Sequence, residues 1–207
     1  STPLCDWIDQ SGLPPSPSLS SKCTVIDALL RMSERAPALS DLSIDWDAQR
    51  VILATVHRRE NWGERLKNIA DGMLRVLDSH PDTVLLLPLH RNPTVREPLQ
   101  ELLGDHPRVV LTEPLDYDRL VAAMKGCILL LTDSGGLQEE APALGKPVLV
   151  LRETTERPEA VEAGTARLVG TDPTTIHREA SLLLENSEAY NAMAKAVNPF
   201  GDGQASG

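Results

Sequence analysis

Short apolar runs of strand length recur along the chain from residue 51 onward. They are rich in Val, Leu and Ile, and amphipathic stretches with helical spacing separate them. The runs lie at 51–56, 83–89, 108–112, 127–132, 147–151 and 165–169. Continuous apolar strands that alternate with helices indicate a parallel sheet that is covered on both faces. The pattern predicts an α/β fold with a doubly wound, Rossmann-like parallel sheet.

Helical spacing marks the segments between and around these strands. The predicted helices lie at 24–36, 64–79, 94–103, 116–125, 137–144 and 157–163, and one or two more are expected within 173–195. Residues 1–23 are rich in Pro and Ser, which predicts a linker or partly ordered segment before a domain at 24–207.

Composition narrows the classes of function. Lys and Arg total 20 against 30 Asp and Glu, a formal net charge of −10, which argues against a general surface for nucleic acid or an anionic membrane. No apolar stretch approaches the length of a membrane span and no secretory signal is evident. Cys5, Cys23 and Cys127 lack the spacing of a disulfide framework or a metal site, so a reducing, cytoplasmic setting is expected, and Cys127 is expected in the core.

The loop TDSGGLQEE, residues 132–140, follows a buried strand and opens a helix. In sheets of this kind ligands bind beyond the carboxyl ends of the strands. Ser134, Gly135 and Gly136 allow main-chain N–H groups to approach an anion at the helix N-terminus. One interpretation is a phosphate at this helix end, with Glu140 on a ribose diol. The other is a glycine-rich turn followed by acidic residues that suit the helix dipole.

Three further loops concentrate polar side chains at the same edge. VHRRENWG, residues 56–63, is either a ligand-site wall or solvated charge with an internal Arg–Glu pair. PLHRNPTVREP, residues 88–98, carries a histidine of the kind that is more often structural than catalytic. TTERPEA, residues 154–160, is the third such loop.

Within TTERPEA, Pro158 suits the first position of a helix, which puts Arg157 at its positive end. A cation there is unfavourable by roughly 0.3–1 kcal/mol. Either Glu156 and Glu159 neutralise it, or a bound anion does. No Ser-His-Asp order, Walker A loop, GxGxxG fingerprint or metal-ligand cluster is evident in the sequence, and no cofactor is expected.

Taken together, the loops resemble those of the non-hydrolysing bacterial UDP-N-acetylglucosamine 2-epimerases. The matching segments are TVIDALL, HRRENWG, PLHRNPTVREP, LTDSGGLQEEAPALGKPVLVLRETTERPEAVEAGTARLVGTD and NPFGDGQAS. The segment from Leu131 to Asp172 is highly specific. The resemblance begins at about Thr24 and covers only the second half of that family's chain. It implies one domain of a GT-B arrangement, in which two Rossmann-like domains hold the nucleotide between them.

The resemblance implies a UDP site on this chain. Ser134, Gly135 and Gly136 match the segment that holds the diphosphate. Glu140 matches a glutamate on the ribose hydroxyls, and Arg157 matches an arginine of the UDP site.

It also implies roles for residues of three other loops. His57 matches a histidine near the diphosphate that is needed for activity, and it is the expected catalytic residue. Leu115 and Leu120 match the uracil pocket, where main-chain groups read the base, although relatives can carry polar or aromatic residues there. Arg58 and His90 match a second, regulatory UDP-N-acetylglucosamine site that some members have.

The family reaction inverts C2 and so interconverts UDP-N-acetylglucosamine and UDP-N-acetylmannosamine. UDP is eliminated and then added back without a cofactor or metal, and the acidic residues that act on C2 belong to the first domain. The chain alone is therefore expected to be inactive, with UDP or UDP-N-acetylglucosamine, the missing first domain and a second copy as its expected partners. A hydrolysing epimerase, a GT-B glycosyltransferase donor domain and a non-catalytic nucleotide-sugar-binding module remain as alternatives.

Overall fold

The structure is a computed structural model that describes residues 25–201. The predicted segment 1–23, with Cys5 and Cys23, lies outside the described residues. One sheet is formed by the strands β1 (Arg50–Thr55), β2 (Thr83–Pro88), β3 (Val109–Thr112), β4 (Leu129–Thr132), β5 (Val148–Val150) and β6 (Ala166–Leu168).

All neighbouring strands are parallel, and their order is β3-β2-β1-β4-β5-β6. The chain therefore builds outward from β1 in one direction and then returns to add β4 on its other side. This reversal opens a crevice beyond the carboxyl ends of β1 and β4, where ligands bind in doubly wound folds.

Helices cover both faces of the sheet. They are α1 (Val25–Glu34), α2 (Glu64–Ser79), α3 (Pro93–Leu103), α4 (Tyr117–Gly126), α5 (Leu137–Ala143), α6 (Pro158–Glu162), α7 (Pro173–Glu185) and α8 (Ser187–Ala194). Buried side chains of α2, α3, α7 and α8 share one core with the sheet, and those of α1, α4, α5 and α6 share the other.

The alternation of strand side chains explains why both faces need cover. In β1, Ile52 and Ala54 belong to one core, whereas Val51 and Leu53 belong to the other. All four are almost fully buried. Such strands must be apolar at every position, which is the pattern that the sequence shows.

The predicted elements are confirmed, with boundary shifts of at most two residues for most of them. Helix α2 spans 64–79 as predicted. The segment 173–195 forms two helices, because the Asn186 side chain accepts hydrogen bonds from the N–H groups of Glu188 and Ala189 and so starts α8. Cys127 is buried, as predicted. None of the helices between residues 25 and 201 combines the length and apolarity that crossing a membrane requires.

Candidate functional site

Asp133 lies at the crevice, directly after β4, and its carboxylate organises the loop that follows β1. The side chain is fully buried. Its oxygens accept hydrogen bonds from the main-chain N–H groups of His57 at 3.0 Å and Arg58 at 2.8 Å, and from Asn61 Nδ2 at 3.0 Å. Burial alone would raise the pKa of Asp133, but the contacts with His57 and these main-chain donors outweigh it and hold the pKa below its ordinary value.

His57 lies against Asp133 on one side and His90 on the other. Its Nδ1 is 3.0 Å from Asp133 Oδ1. The rings of His57 and His90 are stacked with centroids 6.0 Å apart and planes inclined by 22°. Burial lowers the pKa of His90, and the neighbouring His57 adds to this effect. His90 Nδ1 accepts the N–H of Asn92 at 3.1 Å, so the proton of the neutral His90 ring is on Nε2.

The turn 133–136 is shaped by a side chain at the end of β4. Thr132 Oγ1 accepts the Ser134 N–H at 3.0 Å and lies 2.7 Å from Thr55 Oγ1, at the end of the adjacent β1. The turn leads into α5, so Ser134, Gly135 and Gly136 stand at the start of that helix, as predicted.

Charged side chains surround Gly135. A methyl group placed on its Cα would lie 3.6 Å from Glu156 Oε2 and 3.8 Å from an Arg58 terminal nitrogen. Arg58 and Glu156 themselves approach to 3.7 Å. The main chain of the turn thus lies within reach of a cation from the loop after β1 and an acid from the loop after β5.

Glu140, one turn into α5, is a buried acid with an unused acceptor. It is 5% exposed, and its Oε2 has no hydrogen-bond partner among the described residues. Burial raises the pKa of Glu140 to about 7, although the Tyr117 hydroxyl stabilises the carboxylate. Burial and the Glu140 charge likewise raise the pKa of Tyr117. A hydroxyl-bearing ligand would supply the donor that Oε2 lacks.

Arg157 forms an ion pair that the sequence did not indicate. Its Nε donates to Glu139 of α5, and one terminal nitrogen donates to the Glu156 main-chain oxygen at 3.0 Å. Pro158 begins α6, as predicted. The sequence left two alternatives for Arg157, the side chains of Glu156 and Glu159 or a bound anion. The carboxylate that pairs with it within the described residues is that of Glu139, from α5, which packs beside the loop only in the folded chain.

A second hydrogen-bonded path joins α5 and the loop after β5. The buried Gln138 donates from Nε2 to the Ser134 main-chain oxygen at 3.1 Å and accepts from Thr155 Oγ1 at 2.5 Å. Thr155 Oγ1 in turn accepts the Arg157 N–H at 2.9 Å. Arg157 is therefore held at a fixed position relative to the turn at 134–136.

Arg152 and Asn61 tie the loop after β1 to the loop after β5. Arg152 is 7% exposed and donates from Nε to Glu60 at 2.5 Å, with Glu156 3.5 Å away on its other side. Asn61 Nδ2 also donates to the Leu151 main-chain oxygen at 3.0 Å. An internal Arg–Glu pair was one of the two interpretations of VHRRENWG, and the arginine that pairs with the Glu60 side chain in the structure is Arg152.

Leu115 and Leu120 lie at the start of α4 as core residues. They are 7% and 2% exposed and pack in the same core as α1 and α5. Their side chains anchor the loop after β3 in the core and are therefore not placed to contact a base.

The sequence indicated the loops that meet at the carboxyl edge of the sheet, but it did not indicate several residues that connect them: Asp133, Asn61, Gln138, Glu139 and Arg152. Asp133 carried a usable signal, since a carboxylate that directly follows a buried strand is expected at the ligand edge. The others carried none, because the contacts through which they join the loops run to side chains 17 to 92 residues away along the chain or to main-chain atoms. In the part of the chain that the structure describes, no group of three His, Cys, Asp or Glu side chains is placed to hold a metal ion.

Comparisons with known proteins all indicate the same family. The family model described as UDP-N-acetylglucosamine 2-epimerase matches residues 23–207. A probable UDP-N-acetylglucosamine 2-epimerase of Ralstonia solanacearum is 45% identical over 203 residues, covering 94% of this chain and 54% of the relative. The UDP-N-acetylglucosamine 2-epimerase of Escherichia coli K12 is 46% identical over 190 residues, covering 88% and 50%. The chain thus spans about half the length of these curated relatives.

A solved structure shows the same similarity in its fold. The UDP-GlcNAc 2-epimerase of Neisseria meningitidis, in a crystal structure with UDP-GlcNAc bound, superposes with a TM-score of 0.82 at 46% identity. The match covers 87% of this chain and 50% of that one.

Proposed function

Because the chain belongs to the UDP-N-acetylglucosamine 2-epimerase family, we propose that it is the UDP-binding half of such an enzyme. The complete enzyme would interconvert UDP-N-acetylglucosamine and UDP-N-acetylmannosamine by eliminating UDP and adding it back. This chain would bind the nucleotide as one domain of a GT-B pair, and the other domain would supply the acids that act on C2.

One observation carries most of the proposal. The turn 134–136 and Arg157 belong to one hydrogen-bonded assembly at the carboxyl edge of the sheet, and the buried Glu140 lies one turn into the helix that follows this turn. A nucleoside diphosphate needs main-chain donors and a cation for its phosphates, and an acceptor for its ribose hydroxyls. The assembly offers all three within two adjacent loops and one helix.

Each group has a proposed part in binding. The turn of Ser134, Gly135 and Gly136 holds the diphosphate through the main-chain N–H groups of Gly135 and Gly136, since the Ser134 N–H donates to Thr132. Arg157 is the cation. Glu140 Oε2 accepts a ribose hydroxyl, which would satisfy its unused acceptor. The base lies over the main chain of the loop that Leu115 and Leu120 anchor.

The proposed chemical contribution is to stabilise the leaving group. Breaking the C1–O bond places additional negative charge on UDP, and preorganised donors that face this charge lower the barrier. His57 would act here, next to the diphosphate. Arg58 and His90 are proposed to line the regulatory site; His90 stacks on His57, and the Arg58 side chain lies near Gly135.

Calorimetric titration of the chain with UDP, UMP and uridine tests the proposal. UDP should saturate one site and bind more tightly than UMP, because the second phosphate gains contacts at the turn and Arg157. Uridine should be weakest. Equal affinity for UDP and UMP would contradict a diphosphate site at 134–136, and absence of UDP binding at millimolar concentration would contradict a UDP site on this half.

A further inference from the structure

The two carboxylate oxygens of Asp133 have different partners. Oδ2 accepts three hydrogen bonds, from the N–H groups of His57 and Arg58 and from Asn61 Nδ2. Oδ1 has the His57 N–H at 3.2 Å and the His57 ring atom Nδ1 at 3.0 Å. One oxygen therefore holds the loop after β1, and the other faces the imidazole.

The charge on Asp133 determines which ring nitrogen of His57 carries the proton. The contacts described above hold the pKa of Asp133 low, so the side chain is a carboxylate and can only accept hydrogen bonds. A lone pair on Nδ1 at 3.0 Å from Oδ1 would be repelled, whereas an N–H there is attracted, even though the contact departs from ideal hydrogen-bond geometry. The neutral ring therefore carries its proton on Nδ1.

The other ring nitrogen is left for a ligand. Within residues 25–201, Nε2 of His57 has no hydrogen-bond partner, although it is buried. The stacked His90 ring limits rotation of the imidazole from one side, and the main chain of His57 is fixed by Asp133. Orientation of a histidine through its second nitrogen is a general way to present the first nitrogen to a reacting group.

We propose that Asp133 is a positioning residue, which fixes His57 as the Nδ1–H tautomer and presents Nε2 to the ligand in the crevice. The identification of that ligand as the diphosphate of UDP rests on the proposed function. The fixed tautomer does not, because it follows from contacts within the chain.

The substitution Asp133→Asn separates this role from simple loop anchoring. The amide oxygen is favoured at the Oδ2 position, where three donors converge, so the NH₂ group takes the Oδ1 position. It then donates toward Nδ1, which must become an acceptor. The loop keeps most of its anchoring hydrogen bonds while the tautomer of His57 changes to Nε2–H.

Asn61→Ala is the matched control. It removes the hydrogen bonds from Asn61 to Asp133 and to the Leu151 main-chain oxygen, but it leaves the contact between Asp133 and the His57 ring. A loosened loop alone should therefore leave the tautomer unchanged.

The measurement is ¹⁵N NMR of the imidazole nitrogens in the labelled chain, at about pH 8.5, where an ordinary histidine is neutral. A His57→Phe variant assigns the His57 signals. We expect Nδ1–H in the unaltered chain and in Asn61→Ala, and Nε2–H in Asp133→Asn. An Nε2–H tautomer in the unaltered chain, or no change in Asp133→Asn, would overturn the proposal.

Titration with UDP then tests whether Nε2 of His57 faces the ligand. The Nε2 signal of His57 should shift at saturation while Nδ1 keeps its proton, and saturation without any shift at Nε2 would overturn its presentation to the ligand. If the chain shows the expected tautomers but no UDP binding, the proposed function fails and the positioning role of Asp133 stands.

Discussion

Glu140 is expected to have opposite effects on the stability of the fold and on the proposed binding of UDP. Its folded-state pKa of about 7 exceeds that of an unfolded glutamate, because burial disfavours the carboxylate. The folded chain therefore holds a proton that the unfolded chain releases at lower pH. The free energy of unfolding should fall as pH rises from about 4.5 to about 7, and this contribution should be constant above that.

Glu140→Gln should separate the two effects. At pH 8 the free energy of unfolding should rise by up to about 3 kcal/mol, because no charge remains buried, while UDP should bind at least about tenfold more weakly. Urea unfolding and calorimetry measure the two. The UDP phosphate also titrates near neutral pH, so only the part of the pH dependence of binding that Glu140→Gln removes is assigned to Glu140. Unchanged affinity in this variant would leave Glu140 as a helix-terminal acid only.

Arg157 and Glu139 give a second test at the residue scale. Arg157→Ala should weaken UDP binding by about tenfold, because a charge-assisted contact to phosphate is lost. Glu139→Gln should strengthen it severalfold, because it removes a negative charge that holds Arg157 in the ligand-free chain. Calorimetry at one salt concentration compares both with the unaltered chain. Unchanged affinity in Arg157→Ala would remove Arg157 from the site.

At the scale of elements, the turn between β4 and α5 depends on a buried hydroxyl. Thr132→Val leaves the Ser134 N–H without its acceptor and should destabilise the fold by about 1 kcal/mol and weaken UDP binding. Thr55→Val is the control, since it removes the hydroxyl pair between β1 and β4 but keeps the acceptor of Ser134. Equal loss of UDP affinity in the two variants would count against a role for the turn geometry.

Helices α2 and α7 approach closely because α2 has no side chain at Gly72. A Cβ added there would lie 2.9 Å from Ile176 Cβ, which belongs to the fully buried core. Gly72→Ala should lower the free energy of unfolding by about 1 kcal/mol, because overpacking outweighs the gain in helix propensity. Asp71→Ala, on the exposed face of the same helix, should change it by only a few tenths of a kcal/mol. A stabilised Gly72→Ala variant would show that the two helices can move apart at little cost.

At the scale of the whole molecule, the positive charges of the candidate site are neutralised by ion pairs within the chain. Arg58 and Arg152 face acids of neighbouring loops, and Arg157 faces an acid of α5, although the chain as a whole carries a net charge of −10. Binding a diphosphate would therefore require these cations to be shared or released. The crevice can concentrate donors for an anion without a large basic surface around it.

The chain spans about half the length of the curated relatives, which leads to a prediction about activity. We expect the chain alone to bind UDP but not to convert UDP-N-acetylglucosamine, since the acids that act on C2 are proposed to lie in the other domain. Proton NMR of the sugar H1 signals, with and without the separately produced other half of a relative, measures this. Conversion by the chain alone would contradict the division of roles.

The sequence by itself determined the architecture and the loops at the carboxyl edge of the sheet. Buried parallel strands must be apolar on both faces, so their runs are visible without a structure, and the strand-end rule then selects the segments at 56–63, 132–140 and 154–160. The sequence also determined where α5 and α6 begin, because the residues that start a helix, such as Pro158 in α6, act within one helical turn.

Only the tertiary structure decided which polar groups meet. The strand order brings β4 beside β1, and this places Asp133 against His57, 76 residues away along the chain. The same order brings Glu139 to Arg157 and Arg152 to Glu60, and it buries Glu140 deeply enough to raise its pKa. Hydrogen bonds and burial depend on distances in space, and residue spacing fixes such distances only within a helix, a strand or a turn.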